Sequence, residues 1–412
     1  MERTAVVSGV RTPFVKAGTV FSGLSMQELG AAALKALVAR SGIDPATVDE
    51  VVMGTVLLDP RTPNWAREMV FKAGFPRTVY ADSISNNCIS GLVAISRVSD
   101  RISRGEITCG VAGGSESMSR PALLFGKNAT EVFLSLARAK TVGEKFKLLA
   151  KLRPKDLMPQ FPSVTEPSTG LTMGQHMELT AQQFGIRRED QDQLALASHQ
   201  NAAKATADGR LTAEIDPLLG VTKDLLVRSD TTLEKLAKLK PVFDRSEKGT
   251  LTAGNSSALT DGASAVLLMS ESRAQRENRE VLAYVTQYEY AAIDPNDGLL
   301  MAPAIAVPRL LRGLGLTFDD FDLIEIHEAF AAQVLANIKA WEDGWKEPAI
   351  GKVDRSKVNT MGGSIALGHP FAATGGRIVT TLANEMKRKG LKRGLISICA
   401  AGAMGGAMIL ER

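Results

Sequence analysis

TVYADSISNNCISGLVAISRVSDRIS, residues 78–103, contains the pattern that decides the fold class: a strand, a polar turn and a helix in close succession. The β-prone run over 78–85 predicts a buried strand, and the apolar spacing from about residue 88 to residue 103 predicts a helix. A further strand is predicted over 107–112. Strand, helix and strand in this order predict parallel strands joined by a crossover helix.

The same alternation continues on both sides of this stretch. Upstream, strands are predicted over 4–10 and 48–56 and helices over 25–40 and 64–73. Downstream, helices are predicted over 304–314, 331–341 and 373–389, and strands over 323–326 and 395–399. The pattern predicts an α/β protein with a largely parallel sheet covered on both faces.

One fragment occurs twice and indicates an internal duplication. Gly42 follows the first predicted helix, and Asp49 comes seven residues later, just before a strand. Gly315 and Asp322 have the same interval and the same order of helix, glycine, aspartate and strand. Two similar halves are therefore predicted.

A region of different composition separates the halves. Residues 122–160 carry eight Lys and Arg against three acids, although the whole chain has a net charge of only +4. We expect three regions: an N-terminal half of 1–121 plus 251–281, an inserted loop subdomain of 122–250, and a C-terminal half of 282–412. The basic segment is either an amphipathic surface for an anionic membrane or a partner subunit, or a set of packed helices with a solvated basic face.

The composition excludes several classes of protein. Hydrophobic residues make up 44% of the 412 residues, and no apolar run approaches the ~20 needed to span a bilayer. The start of the chain has no secretory signal, and three scattered cysteines predict a reducing compartment, so we expect a cytoplasmic protein. The positive charge is local, so no nucleic-acid partner is predicted. No His, Cys, Asp or Glu cluster has metal-ligand spacing in the sequence, so no metal is predicted.

Three residues are candidates for chemistry. Cys88 lies at the predicted strand–helix junction, where the helix dipole and free backbone N–H groups would lower a thiol pKa; the alternative is a buried apolar cysteine. His369 lies in a loop rich in Gly and Pro, where it is either a catalytic group or a histidine without a role. Cys399 ends a strand before a loop of small residues, which either approaches a ligand or packs closely.

These segments together resemble the thiolase family. The motifs that carry the resemblance, in chain order, are Asn87-Cys88-Ile89-Ser90-Gly91, LTAGNSSALTDGA at 251–263, HEAFAAQ at 327–333, GHPFAATG at 368–375 and CAAGAMGG at 399–406. They extend over essentially the whole chain. The resemblance implies the thiolase fold, in which two duplicated βαβαβαββ halves form five αβαβα layers and a loop subdomain is inserted.

The resemblance also implies a reaction and its residues. His369 would take the proton of Cys88, which attacks a 3-ketoacyl-CoA, and Cys399 would protonate the departing acetyl-CoA enolate and then activate coenzyme A. Backbone N–H groups of Cys88 and Ala401 would hold one oxyanion, and His369 and His327 the enolate oxygen. Coenzyme A would be a co-substrate, with no permanently bound cofactor. Contacts to the substrate are expected from Ser257, Met173, Phe330 and Met301.

Two departures from the common family pattern point to one branch. His327 stands where Asn is more frequent, and Ala401 where Gly is more frequent. This combination resembles the β-subunit of the fatty-acid β-oxidation multienzyme complex, which acts on medium and long 3-ketoacyl chains. The resemblance implies a homodimer or tetramer and a hydratase/dehydrogenase α-subunit as a partner.

Two other functions remain open at this point. A biosynthetic acetoacetyl-CoA thiolase would have the same site and a short substrate, although the HEAF motif and the basic insertion disfavour it. A catalytically silent thiolase-like lipid carrier or scaffold would be expected to lose Cys88, His369 or Cys399, and all three are present.

Overall fold

The computed structural model of the chain describes residues 2–162 and 165–412. The described residues form two compact units, one of 2–56, 64–120 and 165–412 and a smaller one of 57–63 and 121–162. Within the described residues, no helix is long and apolar enough to cross a membrane.

The helices and strands follow the predicted order closely. The first part of the chain contains β1 (Thr4–Arg11), β2 (Val15–Lys16), α1 (Met26–Ser41), β3 (Glu50–Gly54), α2 (Trp65–Ala73), β4 (Tyr80–Ile84), α3 (Ser90–Ser103) and β5 (Cys109–Glu116). The inserted region contains α4 (Lys127–Arg138), α5 (Val142–Leu149), α6 (Met173–Gln183), α7 (Arg188–Ala207) and α8 (Leu233–Ala237). The last part contains β6 (Thr260–Ser270), α9 (Glu271–Arg276), β7 (Ala283–Ala292), α10 (Pro303–Leu314), β8 (Leu323–Ile326), α11 (Ala331–Asp343), α12 (Ser364–Leu367), α13 (Ala373–Lys389), β9 (Arg393–Ala400) and β10 (Met404–Glu411).

The strands of the larger unit form a mixed sheet. Its order is β4-β3-β5-β6-β1-β7-β10-β9-β8, and β2 pairs with β6. The pairs β3–β4, β3–β5 and β8–β9 are parallel, whereas the central pairs are antiparallel. The prediction of a largely parallel sheet is therefore wrong at the centre, because each half ends in a β-hairpin-like return strand that sequence alternation alone does not reveal.

The two halves repeat one another, as predicted. The order β4-β3-β5-β6-β1 corresponds to β8-β9-β10-β7, in which a single parallel bridge from Val358 to Ile324 stands in the place of β4. Gly42 and Gly315 both end a helix in the left-handed conformation, with φ of 62° and 67°.

The repeated aspartates also have one structural role. Asp49 accepts hydrogen bonds from the backbone N–H groups of Thr108 and Cys109 at the start of β5. Asp322 accepts the equivalent bonds from Lys392 and Arg393 at the start of β9. Each carboxylate satisfies backbone donors where a strand begins, which explains why the fragment recurs.

Buried side chains divide the larger unit into five layers. One apolar cluster joins α1 and α2 to the outer face of the N-terminal strands, and another joins α10 and α11 to the C-terminal strands. A third cluster contains α3 and α13, which lie between the two sets of strands. The result is the αβαβα arrangement that the resemblance implies.

Two glycines allow the backbone of α3 to contact the backbone of α13 directly. A Cβ added at Gly91 would lie 2.5 Å from the carbonyl oxygen of Ala372, and one added at Gly375 would overlap the backbone of Leu92. Because both helices begin at this crossing, the loops that precede them, which carry Cys88 and His369, are brought together.

Gly91→Ala is expected to destabilise the protein even though alanine is the better helix former by about 1 kcal/mol. The added methyl group would push α3 from α13, so the midpoint of thermal unfolding should decrease. Gly313→Ala is the matched control, since Gly313 lies in α10 with nothing within 4 Å of an added Cβ. An unchanged or higher midpoint for Gly91→Ala would show that the crossing is not tight.

Candidate active site

Cys88 lies in the turn between β4 and α3, not in the helix. The sequence predicts that the helix starts at Cys88, but α3 begins at Ser90. Asn87 has a positive φ of 48°, and its side-chain amide donates a hydrogen bond to the carbonyl oxygen of Ala401 at 2.9 Å. The Ser90 hydroxyl donates to the Asn87 carbonyl at 2.6 Å. These bonds fix the turn against the CAAG loop.

Burial controls the charge of the Cys88 thiol. It raises the pKa of this thiol to about 12; the backbone N–H of Ala401 opposes the shift by donating to the sulfur, and the Glu116 carboxylate adds to it. The prediction of a lowered thiol pKa is therefore wrong for the protein without ligand, because desolvation outweighs the helix terminus. At neutral pH, Cys88 is a thiol that needs a base.

His369 comes from the loop before α13. Its backbone N–H donates to Thr260 Oγ1 at 3.1 Å, and its Nδ1 lies 2.6 Å from Thr374 Oγ1. Burial lowers the pKa of the imidazole to about 3, with a further contribution from the Arg377 charge. His369 is therefore neutral at physiological pH, and its buried Nε2 has no hydrogen-bond partner among the described residues.

His327 follows β8 and stacks near His369, with ring centroids 4.0 Å apart. Its Nδ1 lies 2.8 Å from Ser364 Oγ, which accepts a hydrogen bond from Arg377 at 3.1 Å. Because a guanidinium can only donate, the Ser364 hydroxyl hydrogen is left for His327 Nδ1. This arrangement assigns the proton of the neutral imidazole to Nε2.

A buried ion pair supports this chain of hydrogen bonds. Arg377 is 1% exposed and lies 3.5 Å from the Glu325 carboxylate. Burial lowers the pKa of His327 well below its usual value, and the neighbouring His369 and the Arg377 charge add to the shift. Both histidines of the site are thus neutral, and their Nδ1 atoms are held by hydroxyl groups.

The fold brings the predicted catalytic residues together. One ligand-type atom each from Cys88, His327 and His369 lies within 4.8 Å of the others. Cys399 ends β9 and is 1% exposed; burial and the neighbouring Cys88 raise its pKa well above the usual value. Cys88 comes from the N-terminal half and the other three from the C-terminal half, so the site requires both.

The predicted substrate contacts lie beside this group. Met301 and Phe330 are buried in one apolar cluster with Cys399, and Met173 packs at its margin. The backbone N–H of Ser257 donates to the Ala329 carbonyl at 2.9 Å, which connects the Ser257 loop to the HEAF motif. Their contacts with a ligand stay predictions.

The sequence did not reveal the residues that support the histidines. Thr374 lies in the same motif as His369, and Ser364 lies four residues before that motif, but nothing in the sequence shows that they contact imidazoles. Arg377 is one of 49 Lys and Arg residues. The one sequence feature that marks Arg377 is its position next to the apolar residues Ile378 and Val379. The structure shows that the helix carrying these residues is buried.

Comparisons with known proteins agree with this fold and site. Family models described as "Thiolase, N-terminal domain" and "Thiolase, C-terminal domain" match residues 4–272 and 279–412. The chain is 43% identical to a 3-ketoacyl-CoA thiolase of Yersinia enterocolitica and 44% identical to one of Serratia proteamaculans, in each case over 100% of the chain and 97% of the relative.

A solved structure supports the fold independently. The crystal structure of the Bacillus anthracis acetyl-CoA acetyltransferase superposes with a TM-score of 0.87 at 33% identity, covering 100% of this chain and 99% of the other. The predicted fold class is confirmed. The chain belongs to the thiolase family.

Proposed function

We propose that this protein is a 3-ketoacyl-CoA thiolase, an acyltransferase that cleaves 3-ketoacyl-CoA with coenzyme A to acetyl-CoA and an acyl-CoA two carbons shorter. The observation that carries the proposal is the convergence of Cys88, His369, His327 and Cys399 in one buried site. The printed names of the full-length relatives support the same activity. Coenzyme A is the co-substrate.

In the first step, neutral His369 takes the proton of Cys88 through Nε2. This requires the other ring proton to sit on Nδ1 and to be donated to Thr374 Oγ1, 2.6 Å away. The Cys88 thiolate then attacks the 3-keto carbon. The new oxyanion forms next to the sulfur, within reach of the backbone N–H groups of Cys88 and Ala401, which already donate to that sulfur.

In the second step, the bond between C2 and C3 breaks, and acetyl-CoA departs as an enolate. The enolate oxygen accepts from His327 Nε2–H and from the proton that His369 has gained. Cys399 protonates the enolate carbon and becomes a thiolate, which deprotonates the incoming coenzyme A. Coenzyme A takes the acyl group from Cys88, and the Cys88 thiolate recovers its proton from His369. The two histidines thus act with opposite tautomers.

A biosynthetic acetoacetyl-CoA thiolase is the second candidate. The Bacillus anthracis structure bears the name of an acetyl-CoA acetyltransferase and shares the fold. The same residues would catalyse condensation of two acetyl-CoA molecules, so the active-site geometry does not separate the candidates. Substrate length separates them, because only a long-chain enzyme must accommodate an extended acyl group.

We also propose that the three regions expected from the sequence have separate roles in catalysis and binding. The halves 1–121 plus 251–281 and 282–412 supply the nucleophile and the base, and the insertion 122–250 contributes to coenzyme A binding. Ser257, Met173, Phe330 and Met301 contact the pantetheine or acyl chain. The apolar surroundings of Met301 and Phe330 support this, since an acyl chain gains free energy from such surroundings.

The smaller unit is the proposed contact with larger partners in the cytoplasm. Its described residues include several exposed apolar side chains among the Lys and Arg residues of 122–160: Phe125, Leu134, Val142, Phe146 and Met158. We favour an anionic membrane surface, because exposed apolar groups among cations suit anionic lipid. Cosedimentation with phosphatidylserine vesicles but not phosphatidylcholine vesicles would support this; binding to neither would favour the α-subunit partner or a homo-oligomer contact.

The thiolase activity is tested with 3-ketoacyl-CoA substrates of 4 to about 16 carbons. We expect thiolysis to be faster on medium and long chains than on acetoacetyl-CoA, measured as kcat/KM for each length. Activity confined to acetoacetyl-CoA would establish the biosynthetic candidate instead. No activity at any length would point to the silent carrier or scaffold.

Ser364→Ala tests the tautomer of His327. The variant removes the hydroxyl that holds Nδ1, so we expect kcat to decrease by roughly 10-fold, less than the 10²–10³ that follows loss of an oxyanion donor. KM should change little, because the ground-state contacts remain.

A double-mutant cycle separates this positioning role from general disruption of the fold. In a His327→Asn background, Ser364→Ala should have little further effect on kcat, since the imidazole that Ser364 orients is absent. An equal loss of kcat in both backgrounds would contradict the assignment.

A further inference from the structure

Three groups of the active site also form an unassigned set of metal ligands. Cys88, His327 and His369 each offer one atom, and these atoms lie within 4.8 Å of one another. The Nδ1 atoms are held by Ser364 and Thr374, which leaves the two Nε2 atoms facing the site. Both Nε2 atoms are buried and have no partner among the described residues.

We propose that Cys88, His327 and His369 bind a Zn²⁺ ion, which reversibly blocks the nucleophile. One thiolate and two imidazoles are ligands that zinc prefers, and three protein ligands leave a fourth position for water. Metal binding does not depend on the proposed function, whereas inhibition does, because it requires Cys88 to be the nucleophile.

The distances are close to those of a tetrahedral site. Zn–S and Zn–N bonds of about 2.3 and 2.0–2.1 Å separate the ligand atoms by about 3.4–3.6 Å. The observed limit of 4.8 Å therefore requires a contraction of up to about 1.2–1.4 Å. Rotation about χ1 of Cys88 would supply most of it, since Cys88 is less buried than the two histidines, whose Nδ1 atoms are held by hydroxyl groups.

The charges around the group also suit a cation. The Glu116 carboxylate acts on the Cys88 sulfur and favours positive charge there, while the Arg377 charge acts on His327 and opposes it. The thiol proton leaves to solvent when the Zn–S bond forms.

Coordination also changes the tautomer of His327. Its proton moves from Nε2 to Nδ1, where the Ser364 oxygen accepts it beside the Arg377 hydrogen bond, and the hydrogen bond from the Ser364 hydroxyl to Nδ1 is lost. His369 needs no change, because a base at Nε2 already carries its proton on Nδ1. His327, which donates a hydrogen bond to the enolate oxygen in the proposed reaction, is thus also the third metal ligand.

The test uses Co²⁺ as a spectroscopic probe in the absence of coenzyme A, whose thiol would itself bind metal. Wild type should bind one Co²⁺ per chain with a thiolate-to-cobalt charge-transfer band and the d–d bands of a tetrahedral site. Competition with Zn²⁺ then gives the zinc affinity. We expect that affinity to increase about tenfold per pH unit near neutrality, as one thiol proton is released.

Variants identify the ligands. Cys88→Ala should lose the charge-transfer band, and His327→Asn, which lacks an imidazole nitrogen, should weaken zinc binding by at least about 10-fold. Cys109→Ala is the matched control, since Cys109 is a buried thiol in β5 and the band should persist. A band that survives Cys88→Ala, or equal affinity in His327→Asn, would overturn the proposal.

Inhibition is measured separately, with free Zn²⁺ held by a metal buffer. Each enzyme is compared with its own metal-free rate, and the zinc concentration for half inhibition should be at least about 10-fold higher for His327→Asn. A chelator should restore the rate. If Co²⁺ binds as expected but zinc leaves thiolysis unaffected, the metal site stands and the role of Cys88 as nucleophile fails.

Discussion

The backbone crossing of α3 and α13 is the constraint on which the rest of this structure depends. Gly91 and Gly375 leave no room for a Cβ at that crossing, and each helix begins there. The crossing lies in the middle layer, so it is supported from both sides by the two sets of strands. The two similar halves thus form a single catalytic site, because one half contains Cys88 and the other contains His369, His327 and Cys399.

Burial is the second determinant, since it holds every reacting group neutral in the absence of substrate. It raises the pKa values of both thiols and lowers those of both imidazoles. Charge would then appear only when the substrate supplies an oxygen that becomes negative next to fixed donors. These donors need little reorganisation when the negative charge develops, because hydroxyl groups and the backbone already hold them in place.

Much of this could be predicted from the sequence, for identifiable reasons. Local patterning predicted β1, β3, β4, β5, β8, β9 and the helices around them, but not β2, β6, β7 or β10. The repeated Gly42–Asp49 and Gly315–Asp322 interval predicted the duplication. The central antiparallel pairing was missed because every such pair includes β6, β7 or β10, which alternation of strands and helices did not reveal. The Cys88 pKa was predicted in the wrong direction, since sequence position shows a helix terminus but not the desolvation around it.

The support for the histidines could not be predicted for a similar reason. Arg377 and Ser364 are 13 residues apart, and only the packing of α12 and α13 makes them partners of His327. Their contribution is a choice of tautomer, which depends on which atoms donate and which accept. The resemblance implied that Cys88, His327 and His369 share one active site, but it did not show that their ligand atoms lie within 4.8 Å of one another, which only the fold reveals.

The most direct test of this account is mass spectrometry of the protein mixed with a medium-chain 3-ketoacyl-CoA and no free coenzyme A. The account predicts release of one acetyl-CoA per site and a stable acyl mass on the peptide that contains Cys88. An acyl group on Cys399, or turnover without any covalent intermediate, would contradict it.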